Sequence, residues 1–282
     1  MFVLLEITSR DLAVQRADRL KLSDGALVLS DQDAARFIDE RGFALLAPWP
    51  KVPLPSLSAA DPRPCWEGFS ITDAAWRWKE VLPGQRLCAY GKFICNRGAF
   101  ISWRLLPAFY ALFGPADGLE EEYVAQSMTP EARTVLNIIE AEGPIDTRVL
   151  WREVGPIFAG NRKIFVQALA TLQIKYIITV SGGELDGWSL HSWDLVTRQV
   201  PNGLLDHLPS AADASHTILL QLLENAVCCS TALAASILRQ DRRSVKNLLQ
   251  ELVAAEQVTQ VHVSGEATAY WLLINQTTNG VS

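Results

Sequence analysis

Apolar residues return with helical spacing most regularly in the C-terminal half of the chain. Val245, Leu248, Leu249, Leu252 and Val253 fall at i, i+3, i+4, i+7 and i+8, which predicts a helix over residues 242–254 with Asp241 as its cap. Phe165, Ala168, Leu169 and Leu172 repeat the pattern behind Asn161. Each of these helices leads into an alternating stretch that reads as a hairpin. One hairpin has strands at 175–180 and 188–191 with a turn at Ser181-Gly182-Gly183; the other has strands at 258–263 and 268–274 with a turn at Ser264-Gly265-Glu266. Each is also preceded by two further helices, the second of them short. In the first case these are 130–142, opened by Thr129-Pro130 and broken by Gly143-Pro144, and a helix from Asp146 to about 154. In the second they are 214–226 and 231–238, the latter capped by Ser230. Helix, helix, helix, hairpin is the winged-helix order, and two copies about 80 residues apart are a stronger signal than one.

The N-terminal half is less regular. Residues 1–29 are weakly patterned, with a turn at Ser23-Asp24-Gly25 and a short strand expected at 26–29. Ser30 or Asp31 caps a helix through Arg41, with Ala35, Phe37, Ile38 and Phe43 apolar, and Gly42 stops it. Residues 47–68 hold Pro48, Pro50, Pro53, Pro55, Pro62 and Pro64, which forbid a helix interior or a central strand. So long a loop is either functional or a stiff surface connection. Thr72 caps a helix over 73–82 that Pro83-Gly84 ends. A strand at 87–94, a turn at Asn96-Arg97-Gly98, a return strand at 99–103 and a helix at 105–113 follow. The acidic, loosely patterned stretch 114–128 marks a boundary.

Charge narrows the functional classes. The 282 residues carry a net charge of −6, so the chain as a whole does not attract phosphates and any nucleic-acid site must be a local basic patch. No leader pattern opens the sequence and no run approaches the ~20 apolar residues of a membrane span, so a cytoplasmic protein is expected. Cys65, Cys88, Cys95, Cys228 and Cys229 form no C-x-x-C pair and read as reduced, buried thiols. The four histidines are scattered, so neither metal nor cofactor is expected. No nucleophile motif, P-loop or dinucleotide fingerprint is present.

The polar faces supply binding candidates. Opposite the apolar stripe of 242–254 lie Arg242, Arg243, Lys246, Asn247 and Gln250. Arg and Lys suit phosphate or guanine, and Asn and Gln suit adenine. The helix after Asn161 offers Arg162, Lys163, Gln167 and Thr171, but Glu184 and Asp186 on its wing would repel phosphate. Between residues 61 and 104, seven cations (Arg63, Arg77, Lys79, Arg86, Lys92, Arg97, Arg104) face four acids (Asp61, Glu67, Asp73, Glu80). Trp66, Trp76, Trp78, Trp103, Tyr90 and Phe93 are interleaved there, a mixture that suits stacking on bases. Trp76 and Trp103 read as core residues, and Trp78 as either core or surface.

The succession Phe37-Ile38-Asp39-Glu40-Arg41-Gly42-Phe43, Trp76-Arg77-Trp78-Lys79, Tyr90-Gly91-Lys92 and 105–112 resembles divergent relatives of the AlkZ/YcaQ-type winged-helix DNA glycosylases. The resemblance covers residues 30–275. It implies an α+β, mainly helical fold of three tandem winged-helix units around a concave DNA-binding surface. The units would be an irregular first one at 30–115, a second at 129–209 and a third at 210–275, with an extension at 1–29, a linker at 116–128 and a tail at 276–282. It implies double-stranded, possibly damaged DNA as partner, with a protein partner as the alternative, no membrane and no metal. Along such a surface Arg242, Arg243, Lys246 and Asn247 would follow the groove, while Lys79, Lys92 and Arg97 grip the backbone. The family removes alkylated bases by hydrolysing the N-glycosidic bond, and its catalytic signature is Gln, an aliphatic residue, then Gln or Asp. The matching place here reads Leu45-Leu46-Ala47. Hydrolysis needs a group that orients water and stabilises charge on the sugar, which these side chains cannot do. The chain then either binds DNA without excising bases or uses another group; Asp39, Glu40 and Asp61 are near in sequence.

Overall fold

One element order occurs three times along the chain. In the computed structural model, which describes residues 5–115, 118–119, 128–184 and 190–274, a strand β1 (Leu5–Ile7) and helix α1 (Ser9–Asp18) come first. The first repeat comprises α2 (Asp31–Arg41), β2 (Phe43–Leu45), α3 (Leu57–Ala60), α4 (Asp73–Gly84) and the hairpin β3 (Cys88–Ile94)–β4 (Arg97–Ser102), followed by α5 (Leu106–Phe113). The second comprises α6 (Pro130–Glu142), β5 (Ile145–Asp146), α7 (Thr147–Val154), α8 (Arg162–Ile174) and the hairpin β6 (Ile178–Glu184)–β7 (Leu190–Leu195), with a short α9 (Val196–Gln199). The third comprises α10 (Ala211–Ala226), β8 (Cys228–Ser230), α11 (Thr231–Leu238), α12 (Arg242–Ala254) and the hairpin β9 (Val258–Val263)–β10 (Ala269–Leu273). In every repeat the short strand after the first helix pairs with the second strand of the hairpin, giving the orders β2-β4-β3, β5-β7-β6 and β8-β10-β9.

Local chemistry sets the helix ends. Ser30 and Asp33 close a capping box on α2, and Gly42 ends that helix at φ 69, a conformation that favours glycine. Thr72, Thr129, Asn161, Ser230 and Asp241 each accept a hydrogen bond from a backbone N–H of the first turn of the helix they open. The α8 stripe faces inward as its spacing predicts, with Phe165, Ala168, Leu169 and Leu172 buried; of the α12 stripe Val245, Leu249 and Leu252 are buried, but Leu248 is half-buried and Val253, at the stripe's edge, is exposed.

The first repeat is the middle of the molecule. One apolar cluster joins its Phe37, Trp78 and Phe100 to Leu136, Phe165, Val180 and Trp193 of the second repeat. Another joins its Phe43, Phe93 and Phe109 to Leu222, Leu249 and Trp271 of the third. Polar locks reinforce both seams. Asn225 donates from α10 to the carbonyls of Arg41 and Phe43, and Thr179 of β6 both accepts from Tyr90 N and donates to Tyr90 O on β3.

The structure departs from the sequence reading in four places. No strand forms at 26–29; Val28 alone turns into the core while Leu27 and Leu29 stay exposed. The weakly patterned N-terminal extension forms elements that its sequence does not predict: β1 pairs in parallel with β9, and a third apolar cluster ties Ile7 and Leu12 to Val261 and Val263. The proline stretch is neither a plain loop nor wholly on the surface, since Leu54, Leu57 and Ala60 are buried and α3 forms inside it. Gly182 and Gly183 do not make a turn. They lie within β6 beyond a register shift, and the tip of that hairpin, Asp186 included, falls outside the described residues. So do most of the 116–128 linker and the 276–282 tail.

Candidate nucleic-acid interface

Arg242, Arg243, Lys246, Asn247 and Gln250 all stand exposed on α12. The helix places them there because Val245, Leu249 and Leu252 take the opposite face into the core. Among the described residues, none of the three cations forms a side-chain ion pair. The nearest acid in sequence, Asp241, is occupied as the helix cap: its Oδ1 accepts from Arg243 N and Ser244 N, and Ser244 Oγ donates to Oδ2 at 2.6 Å. That hydroxyl bond, the larger effect, and the backbone bonds hold the Asp241 carboxyl below its ordinary range. Glu251 lies one position beyond Gln250 and faces His216 at 3.5 Å. The edge therefore carries three cations unpaired among the described residues, beside Asp241 held in the helix cap and Glu251 turned to His216.

The remaining candidates are distributed over the first and second repeats. Arg162 and Lys163 are exposed at the start of α8, with the Arg162 guanidinium 5.4 Å from the Trp151 ring centre. Arg97 is exposed at the β3–β4 turn, its guanidinium 4.4 Å over Trp49. Lys92 is half-buried on β3 at the seam with α8, and its backbone N donates to Gln173 Oε1 at 3.0 Å. Glu184, expected to repel phosphate, is paired with Arg148.

Lys79 corrects an expectation. It is 2% exposed, its ammonium lies 2.9 Å from Glu80 Oε1 and 3.9 Å from the Trp76 ring centre, and it has no surface to offer a phosphate. Burial pulls the ammonium below the usual lysine range against the opposing pull of Glu80. The reason is its place on α4, where Ala75, Lys79 and Leu82 share the inward face. Trp78 joins the core, its indole N–H donating to Asp31 Oδ1 at 2.7 Å. Trp76 and Trp103 pack half-buried against the two main clusters.

The carboxylates near the expected signature are accounted for differently. Glu40 is bound by Ser23 and Arg36, and Asp39 is exposed. Asp61 is buried, with Oδ1 on Arg63 Nε at 2.7 Å. Leu45 is buried in β2 opposite Ala99, and Leu46 N donates to Gly98 O at 2.9 Å. Leu45, Leu46 and Ala47 thus put only apolar side chains at this point.

Sequence reading missed the most charged buried group. The side chain of Glu80 is fully buried between α4 and β6, with Oε1 2.9 Å from Lys79 Nζ and 2.8 Å from His191 Nδ1. Its Oε2 has no hydrogen-bond partner. Burial pushes the carboxyl up, but His191 and Lys79 outweigh it and leave the group below its ordinary range. Two glycines allow the close approach. A methyl on Gly183 would sit 2.5 Å from Glu80 Oε2, and one on Gly84 would sit 3.3 Å from the Gly182 Cα. His191, Trp193, Tyr90, Gly91, Lys92 and Gly98 line a cavity of about 200 Å³ beside this group, closed on the α8 side by Val166, Leu169 and Gln173.

Among the described residues, no cluster of His, Cys, Asp or Glu has the makings of a metal site, and no helix is long and apolar enough to cross a membrane. The five cysteines are free thiols; Cys88, Cys228 and Cys229 are buried, Cys95 is half-buried and Cys65 is exposed.

Comparison with known proteins adds the family. No curated protein matches the sequence. Among solved structures, the Streptomyces sahachiroi DNA glycosylase AlkZ is similar in fold, with a TM-score of 0.62 at 11% identity over 97% of this chain and 72% of that one. The family described as AlkZ related matches residues 28–239, three quarters of the sequence, which takes in the first two repeats and the third as far as α11, and the chain belongs to that family.

Proposed function

We propose that this protein docks double-stranded DNA, damaged or not, on a concave surface built by three winged-helix units at residues 30–115, 129–209 and 210–275. The α12 edge is the principal contact. Arg242, Arg243 and Lys246 meet phosphates, and Asn247 and Gln250 reach base edges. Arg162, Lys163, Lys92 and Arg97 add backbone contacts. The observation that carries the reading is the cationic edge of α12, exposed and free of ion pairs among the described residues, on a chain of net charge −6. Membership of the AlkZ-related family and a fold like that of a DNA glycosylase support a repair setting, for which we take the cytoplasm as the place. The family's catalytic position is apolar here, so the docking function does not depend on Leu45, Leu46 or Ala47.

The test is a binding isotherm on duplexes with and without a single N7-methylguanine, repeated over a series of salt concentrations. Each phosphate contact releases counterions, so log affinity should fall linearly with log salt, by about 0.9 per contact. A salt-independent capture of a protein with no retention of DNA would move the reading to a protein-interaction module.

A further inference from the structure

The cavity beside Glu80 is placed and furnished for chemistry that the apolar 45–47 position cannot supply. We propose that His191, oriented by the buried Glu80 carboxylate, accepts a proton from water during hydrolysis of the N-glycosidic bond of a base held in this cavity. The inference rests on the reading that the chain docks DNA.

Four observations carry it. First, a carboxylate on Nδ1 of an imidazole fixes the ring and raises the basicity of the opposite nitrogen, which is how a histidine becomes a general base. Here Glu80 Oε1 lies 2.8 Å from Nδ1, within charge-contact distance though not aligned as an Nδ1–H hydrogen bond, and Glu80 is fully buried while a quarter of the His191 side chain remains exposed. Nε2 has no partner among the described residues and is left for a water molecule. Second, the cavity suits a flat heterocycle. Tyr90 and Trp193 supply aromatic walls, and at about 200 Å³ it is smaller than the ~300–1,000 Å³ of drug-sized pockets. Gly98 is needed at its edge, because a methyl there would meet the Tyr90 hydroxyl at 2.5 Å. Third, Lys92 lies at the cavity half-buried and without an ion pair among the described residues, where the phosphate of an extruded nucleotide would follow its base. Fourth, Val166 of the cavity wall is one helical turn from Arg162 and Lys163, so the same helix that closes the cavity offers cations to the flanking backbone.

The step balances with water as the only co-reactant. The water oxygen bonds to the sugar C1′ as the C1′–N bond breaks, the bonding pair leaves with the base, and the water proton passes to His191 Nε2. When the leaving base is an N7-methylated purine, that pair neutralises its positive ring and no separate acid is required. Glu80 is a positioning residue. The charged and titratable groups facing His191 and Glu80 are Lys79 on α4, with Tyr90 and Lys92 on β3; Glu184 on β6 is tied to Arg148.

The experiment measures release of free N7-methylguanine from a duplex under single-turnover conditions, with DNA binding measured on the same preparations. Wild type should bind and release base. His191→Ala should keep the salt-dependent binding and lose roughly 10²–10⁴-fold in release rate, the usual contribution of a general base. Glu80→Gln should slow release less than His191→Ala and lower the maximal rate while leaving the substrate concentration for half-maximal rate unchanged. That split between rate and affinity would not follow from a merely structural role. Lys92→Ala, which leaves the buried group untouched, should raise the substrate concentration needed for half-maximal rate. Wild type that binds the duplex without releasing base, or His191→Ala that releases it at the wild-type rate, overturns the inference and leaves the docking reading standing. Wild type that fails to bind DNA takes both down.

Discussion

Helices α8 and α12 occupy the same place in successive repeats and begin with the same kind of cap, yet they are put to different uses. α12 turns one face into its own core and leaves the other bare, so Arg242, Arg243, Lys246, Asn247 and Gln250 meet solvent with no ion pair to their cations among the described residues. α8 is held between two repeats. Gln173 binds Lys92 of β3, while Val166 and Leu169 wall the cavity. Arg239, in turn, reaches from the end of α11 to the carbonyls of Ile174 and Phe93. A shared topology fixes where a third helix lies. What covers its outer face decides whether it becomes a docking edge or a seam.

Changes at the seam should be the most costly. Leu172→Ala, at a fully buried position of α8, should destabilise the protein by about 2–5 kcal/mol, read from its urea midpoint. Glu80→Ala leaves the Lys79 ammonium buried without its carboxylate and should cost about 3–5 kcal/mol. The pH dependence has a definite sign. The folded Glu80 carboxyl lies below its ordinary range, so its stabilisation is complete above the unfolded value of about 4.3 and is lost as pH falls through the lower folded value. Acid titration of stability should accordingly be shallower in Glu80→Gln than in wild type.

Changes at the docking edge should leave stability alone and act on DNA. Arg242→Ala combined with Lys246→Ala should weaken duplex binding by about tenfold or more at low salt and flatten the log–log salt slope by about 1.8, two contacts' worth. Arg162→Ala with Lys163→Ala should weaken binding only a few-fold and flatten the slope by under about one contact. If the two double variants are equal, the contrast between the helices is wrong. The smallest effect belongs to Asp241→Asn. The amide still caps α12, but one negative charge leaves the edge, so affinity should rise slightly and the gain should vanish at high salt.

The sequence disclosed elements whose signals are local. Helix α12 follows from the spacing of Val245, Leu249 and Leu252 behind Asp241, and α6 from Thr129-Pro130, because caps and stripes act within a few residues. It did not disclose β1, whose partner β9 lies at the far end of the chain and whose pairing leaves no periodicity, nor α1, which buries only Leu12. The exposed α12 set was legible for the same reason as the helix. The Glu80–His191 contact was not, since it joins residues on two repeats and depends on Gly84 and Gly183 letting β6 approach α4. One part was readable and was missed: Lys79 stands four residues after Ala75 and three before Leu82, the buried face of its helix. A cation on an apolar stripe needs an acid beside it, and Glu80 is the next residue.

The most direct measurement replaces Asn247 with a photo-crosslinking residue and irradiates the full-length protein on a labelled duplex. Adducts between α12 and DNA should form and fade as salt or unlabelled duplex is raised. A duplex that stays bound while position 247 yields no DNA adduct, and a matching probe elsewhere does, would show that α12 is not where this protein meets nucleic acid.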